Sequence, residues 1–268
     1  MLKVPYNRET SKLLTQCLKL AVEQYGKKDP KYDGSIVPPD GYSQTASFKI
    51  PEIDNSNKLQ LQPPVNDSRE VYFGFALTSK THNIITLRGS QSTYEWITNV
   101  SAFQDDYDSS DHQRGKVHLG FKFIYDKLSQ QIRNAAKEFD TLKPCYVTGH
   151  SLGGVLAVLA ATDIALHING LKDQVQMYSY GGPRIGDPVF ASFYNELIPN
   201  SYRVVNLADM IPVLPPTKFL EYTYQHVGQK WSYLWQKGDI GENHYLVSNY
   251  LPAVNSEVEK DKPLTYPC

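Results

Sequence analysis

The stretch CYVTGHSLGGVLAVLAATDIALHI (145–168) decides how the rest of the chain is read. A short apolar run, Cys145 to Thr148, enters Gly149-His150-Ser151-Leu152-Gly153 and passes at once into a run of small and aliphatic residues. A G-x-S-x-G pattern alone is weak, since Gly and Ser near 7 % each place one by chance in about one chain in ten of this length. Its flanks give it weight. A strand followed by a sharp turn and a helix is what a nucleophilic serine requires, because small neighbours let backbone approach backbone and leave the hydroxyl exposed. The helix also offers its positive end and the unpaired N–H groups of its first turn. Leu152, just after the serine, would donate one such N–H to an oxyanion. The competing reading is a helix-capping serine in a glycine-rich turn.

The same rhythm continues downstream. VQMYSYG (175–181) reads as a strand, DPVFASFYNEL (187–197) as a helix and SYRVVNLAD (201–209) as a strand again. Upstream, 120–139 has helical periodicity, while VYFGFALTS (71–79) and NIITLRG (83–89), separated by Lys80-Thr81-His82, read as a hairpin. Alternating strands and helices predict an α/β fold with a mostly parallel sheet flanked by helices. Residues 9–25 form an amphipathic helix, and 27–66, rich in Pro, Asp, Asn and Gly, read as loops and short extended pieces. With no internal repeat and no dividing linker, 1–268 is expected to be a single domain with 1–70 packed on it as a helix and loops.

Composition narrows the function. The 268 residues carry 27 Lys and Arg against 28 Asp and Glu, a net charge of −1, without the clustered basic excess that nucleic-acid binding requires. The longest uninterrupted apolar run, Val155 to Ala161, is far short of the roughly 20 residues of a membrane span. The N-terminus has no apolar h-region, so no signal peptide is read, and the compartment stays open between cytoplasmic and a secreted form whose leader has been removed. Three scattered cysteines, Cys17, Cys145 and Cys268, predict neither a disulfide framework nor a zinc site. The 19 tyrosines admit two readings, wet binding surfaces or a tyrosine-rich core boundary.

A nucleophilic serine needs a base and the base an orienting acid, which a parallel sheet delivers on later loops in the order Ser, Asp or Glu, His. His167 is excluded, because sixteen residues of helix place it about 24 Å from Ser151. His244 follows a Gly-flanked loop and is preferred to His226, which alternates with Tyr222 and Tyr224 as a strand residue would. Asp209 ends a strand and is preferred to Asp187, which stands where a helix cap is expected.

TGHSLGG (148–154), YGGPRIGD (180–187), VVNLADMIPVLPP (204–216) and the NHY around His244 together resemble the class 3 lipases, fungal-type triacylglycerol lipases of the α/β-hydrolase fold. TLRGSQSTYEWITN (86–99) resembles their oxyanion and lid segment, and KVHLGF (116–121) the segment that follows. The resemblance runs from about residue 70 to 250. It implies Ser151 as nucleophile, His244 as base and Asp209 as its orienter, with Ser90 beside Leu152 as the second oxyanion donor. It also implies a short helical lid over 91–100, where Thr93, Tyr94, Trp96 and Ile97 stand and where an apolar side would favour a lipid surface. Asn99 stands where many relatives have Asp.

The expected function is a carboxylic ester hydrolase working through an acyl-enzyme without a cofactor or metal, most simply a triacylglycerol lipase acting at a lipid–water interface. A short-chain or feruloyl-type esterase, a phospholipase A1 or a galactolipase would share the same triad. A non-catalytic lipid-binding member is the remote alternative, and no obligate protein partner is evident. The Asp105–Asp111 run fails the calcium-loop pattern and is expected to be a solvated acidic loop.

Overall fold

Strand pairing follows the predicted alternation and extends it. The computed structural model describes residues 3–27, 29, 31–51, 69–89, 103–239 and 241–256. In chain order the elements are α1 (Arg8–Gly26), β1 (Tyr42–Pro51), β2 (Glu70–Ser79), β3 (Asn83–Leu87), β4 (Gln104–Asp106), β5 (Lys116–His118), α2 (Leu119–Lys137) and β6 (Cys145–His150). They continue with α3 (Leu152–His167), β7 (Val175–Tyr180), α4 (Pro188–Leu197), β8 (Ser201–Asn206), β9 (Lys218–Phe219), β10 (Tyr222–Thr223) and β11 (Gln229–Tyr233). A π-helical turn over Leu246–Tyr250 leads into α5 (Leu251–Asn255).

Among the described residues, seven strands form the central sheet in the order β1-β2-β3-β6-β7-β8-β11. The hairpin expected at 71–89 is present as β2 and β3, which pair antiparallel from Gly74↔Leu87 to Thr78↔Asn83. From β3 onward every neighbour is parallel. Helices α2, α3 and α4 supply the crossovers between β3, β6, β7 and β8 in turn. All these parallel strands therefore end on one edge of the sheet, where loops can collect functional groups.

The loop reading of 27–66 is corrected over Tyr42–Pro51, a ten-residue edge strand antiparallel to β2. Register shifts at Gln44/Ala46 and Phe48/Lys49 break its two-residue alternation, which is why the strand is hard to see in the sequence. On its open side, the Lys49 N–H and C=O are met by the Gln131 side-chain amide of α2 at 3.1 and 2.8 Å.

Alternating side chains send two different cores to the two faces of the sheet. One face joins Val147 and Met177 to Phe121, Ile124, Leu128 and Ile132 of α2, and to α3, which is buried on every side from Leu152 to Ala165. That explains why α3 carries no polar side chain from Leu152 to Ala161. Its buried Asp163 accepts from Tyr125 Oη at 2.7 Å and from Arg133, and pairs with His167 Nδ1 at 2.7 Å, so the charge is compensated. The opposite face carries Tyr146, Tyr178, Tyr180 and Tyr202 against Leu14, Cys17, Leu18 and Ala21 of α1 and against Tyr250 and Val254. With Tyr6, Tyr42 and Tyr233 packed beside them, eight of the 19 tyrosines line this core. Cys17 and Cys145 are free and buried, and Cys268 lies outside the described residues.

The Asp105–Asp111 run stays at the surface, as expected, but its acids have partners. Asp105 pairs with Lys122, Asp106 with His112, and Asp108 and Asp111 both with Arg114, at 2.7 to 3.0 Å. His112 and Arg114 stand in the turn of the β4–β5 hairpin and Lys122 on α2 just after it, so the fold brings these partners over the acids.

Candidate active site

The turn between β6 and α3 is built on backbone contact. A Cβ at Gly149 would lie 1.8 Å from the Gly153 carbonyl oxygen, so no larger residue fits. Ser151 takes φ 60°, ψ −126°, a left-handed conformation that costs a non-glycine residue about 1–3 kcal/mol. Its N–H still pairs with the Tyr180 carbonyl at 2.9 Å, which anchors the strained residue to β7. Leu152 opens the helix, so its N–H has no intrahelical acceptor and stands beside the serine. The end of β3 meets the same turn, and a Cβ on Gly89 would sit 2.9 Å from Ser151 Cβ. The next residue, Ser90, lies outside the described residues, as do the expected lid positions Thr93, Tyr94, Trp96 and Ile97, and Asn99.

The other two predicted residues come to this turn. His244 Nε2 is 2.8 Å from Ser151 Oγ, and His244 Nδ1 is 2.8 Å from Asp209 Oδ2. Asp209 follows β8 by three residues, on a turn where its N–H bonds to the Asn206 carbonyl and its Oδ1 accepts from the Ile211 N–H at 2.9 Å. The side chains of Ser151 and Asp209 are buried, whereas His244 keeps a narrow opening to solvent. A hydroxyl, an imidazole and a buried carboxylate are thus linked in series, with the ring tautomer set by Asp209: Nδ1 carries the proton and Nε2 faces the hydroxyl.

The alternatives considered in the sequence have other partners. His226 Nε2 bonds to the Pro212 carbonyl at 2.7 Å, and burial lowers its pKa to about 3. Asp187 caps α4 by accepting from the Phe190 N–H at 2.7 Å. His167 stays at the far end of α3 with Asp163. Among the described residues, no group of three or more His, Cys, Asp or Glu could hold a metal ion. No described helix is long and apolar enough to cross a membrane.

Three residues of the site are invisible to sequence reading. Tyr250 Oη donates to Asp209 Oδ2 at 2.6 Å and accepts from the Asn206 N–H at 3.2 Å. Burial, then the Asp209 charge, raise its pKa well above the usual range, so it remains a donor. Asn206 Nδ2 donates to the carbonyls of Trp235 and Asn243, tying β8 to the loop that carries His244. His150 Nε2 bonds to the His244 carbonyl at 2.8 Å. No local motif announces these roles, since each depends on a partner more than 25 residues away. The π-turn over 246–250 is the one local sign, an irregularity that recurs at functional sites.

Comparison with known proteins agrees with this geometry. The profile of the class 3 lipase family matches residues 84–219. A secreted mono- and diacylglycerol lipase of Fusarium solani is 33 % identical over 169 residues, covering 62 % of this chain and 47 % of the relative. The chain spans less than half the length of the first curated relatives it matches. A solved triacylglycerol lipase, described as having a catalytic centre formed by a serine protease triad, is 29 % identical with a TM-score of 0.53, over 59 % of this chain and 60 % of its own. The mono- and diacylglycerol lipase of Aspergillus oryzae superposes with a TM-score of 0.63 at 22 % identity, covering 88 % of this chain and 83 % of its own. That likeness shows the fold, and with the strand order it identifies the architecture as an α/β-hydrolase. The ordered motifs, the sheet and the profile match converge, and the chain belongs to the class 3 lipase family.

Proposed function

We propose that this protein is a serine carboxylester hydrolase of the triacylglycerol lipase type. The observation that carries the reading is the hydrogen-bonded series Ser151–His244–Asp209 at the tip of a strained strand-to-helix turn. In it, His244 Nε2 takes the Ser151 proton as Oγ bonds to the ester carbonyl carbon. Asp209 stabilises the resulting imidazolium, and the Leu152 N–H stabilises the oxyanion; such a donor contributes on the order of 3 kcal/mol. Ser90 is the second donor on the sequence reading. The tetrahedral intermediate expels the alcohol, which leaves with the His244 proton, and water then releases the fatty acid from Ser151 by the same steps.

A lipid substrate is supported by the surroundings of the triad. Leu207 and Met210 flank Asp209, Val213 lies just beyond, and Tyr245 and Val247 follow His244; all five are among the exposed large apolar side chains. Such a concentration favours contact with an apolar phase. The 91–100 segment is the proposed lid, and 1–268 the proposed single catalytic domain.

A phosphonate ester directed at serines should label Ser151 stoichiometrically, and failure to label the folded protein would overturn the reading. Ser151→Ala is expected to lower turnover by roughly 10⁴-fold or more while the protein stays folded. A chain-length series of p-nitrophenyl esters and triglycerides, taken through the solubility limit, assigns the substrate class. A rate jump at the interface is the lipase outcome, and smooth saturation on short soluble esters assigns an esterase instead.

A further inference from the structure

His244 meets Ser151 from a loop 93 residues later in the chain. The backbone of that loop is held at two consecutive carbonyls. The Asn243 carbonyl accepts from Asn206 Nδ2 at 3.0 Å, and the His244 carbonyl pairs with His150 Nε2 at 2.8 Å. Asn206 closes β8, the strand that leads to Asp209; His150 closes β6, the strand that leads to Ser151. Each strand that supplies a partner for the His244 ring therefore also supplies a buried side chain that grips its backbone.

We propose that His150 is a positioning residue for the ester hydrolysis assigned above: its Nε2–H, by holding the His244 carbonyl, fixes where the His244 ring meets Ser151 Oγ. The proposal rests on that functional reading. A carbonyl accepts only from a protonated nitrogen, so the bond selects the His150 tautomer with hydrogen on Nε2. The His150 ring faces the His244 ring at 4.8 Å and the Tyr250 ring at 5.4 Å, and it is itself buried. A second positive charge there would oppose the imidazolium that forms on His244. Burial, then the proximity of His244, keep the His150 pKa well below 6.5 and the ring neutral. His150 thus joins the serine strand to the histidine loop without competing for the proton in transfer.

The test uses two amides that differ only in reach. Gln places its amide nitrogen as many bonds from Cα as the Nε2 of histidine, and Asn one bond fewer. On p-nitrophenyl butyrate, His150→Asn is expected to lower kcat on the order of 10- to 100-fold with KM little changed, the scale of a small misplacement of a catalytic group. His150→Gln should recover most of that loss, and His150→Phe, with ring volume but no donor, should fall with Asn. Phosphonate labelling of Ser151 should slow in the same order. Equal losses in Asn and Gln, or parental kcat in folded His150→Phe, would overturn the role of the donor. If the Phe variant does not fold, the Asn and Gln pair decides alone. Turnover and labelling by the parent protein test the functional reading separately: an inactive parent sinks that reading, and an active parent with the wrong variant order sinks only this proposal.

Discussion

The two faces of the central sheet are held by different physics. The helix face is mainly aliphatic and phenylalanine: Val147, Met177, Leu156, Ile124, Leu128 and Phe121 fill space against one another, and the bonds around Asp163 are set apart at one end of α3. The tyrosine face interleaves rings with polar tips that find partners. Tyr178 Oη accepts from the Asn7 N–H, Tyr180 Oη bonds to Ser11 Oγ at 2.7 Å, Tyr202 Oη donates to the Val4 carbonyl, and Tyr233 Oη donates to Asn249 at 3.0 Å. The same construction reaches the triad, where Tyr250 donates to Asp209. Volume sets the position of α3, while directional bonds set the positions of His244 and Asp209. Tyrosine suits the second task because one side chain supplies both apolar area and a fixed hydrogen-bond tip.

Substitutions on each face test this contrast. Leu156→Ala, at a fully buried position of α3, should cost about 2–5 kcal/mol in urea unfolding yet leave kcat per folded molecule unchanged. A large fall in kcat there would erase the division of labour. The next effect is read with acid. His118, stacked on Phe121 at 4.1 Å, has its pKa lowered by burial from 6.5 to about 4. Between those values the unfolded chain binds the extra proton, so this contribution to stability is complete above pH 6.5 and is lost as pH falls towards 4. Its size is of the order of 3 kcal/mol. His118→Asn should flatten that part of the urea-midpoint profile, and an unchanged profile would assign the acid sensitivity elsewhere.

On the tyrosine face, Tyr250→Phe should cost about 1–3 kcal/mol, because the Asp209 carboxylate loses a donor and the Asn206 N–H loses an acceptor. It should also lower kcat, which stopped-flow acylation would resolve; a stability loss with unaltered acylation would reduce Tyr250 to a packing residue. Tyr180→Phe, which removes a hydroxyl bonded to Ser11 of α1 rather than to Asp209, should cost about 1 kcal/mol and leave kcat as it is.

How much was legible follows from where the information lies. The strand, turn and helix around Ser151 are local, because Gly149, Ser151 and the apolar runs beside them state their own conformation. The order Ser151, Asp209, His244 could be read because successive parallel strands deliver loops to one edge. Strand β1 was obscured by its bulges, and the partners of the acidic run were hidden because Arg114 and Lys122 reach it only once the β4–β5 hairpin and α2 are folded. Asn206, His150 and Tyr250 were illegible for a different reason. Each resembles any polar or aromatic residue beside an apolar stretch until the partner that gives it meaning is folded against it.

The amide of Gln131 against β1 has a further consequence. An outer strand with free backbone groups is a template for a neighbouring chain, and extension of a sheet from one molecule to the next is a common route to fibres. At Lys49 both backbone groups are already taken, by a side chain that imitates one residue of an eighth strand. The resulting plug is internal, so it is present whenever α2 is folded and needs no second molecule. Self-association through β1 at Lys49 would first have to expel Gln131.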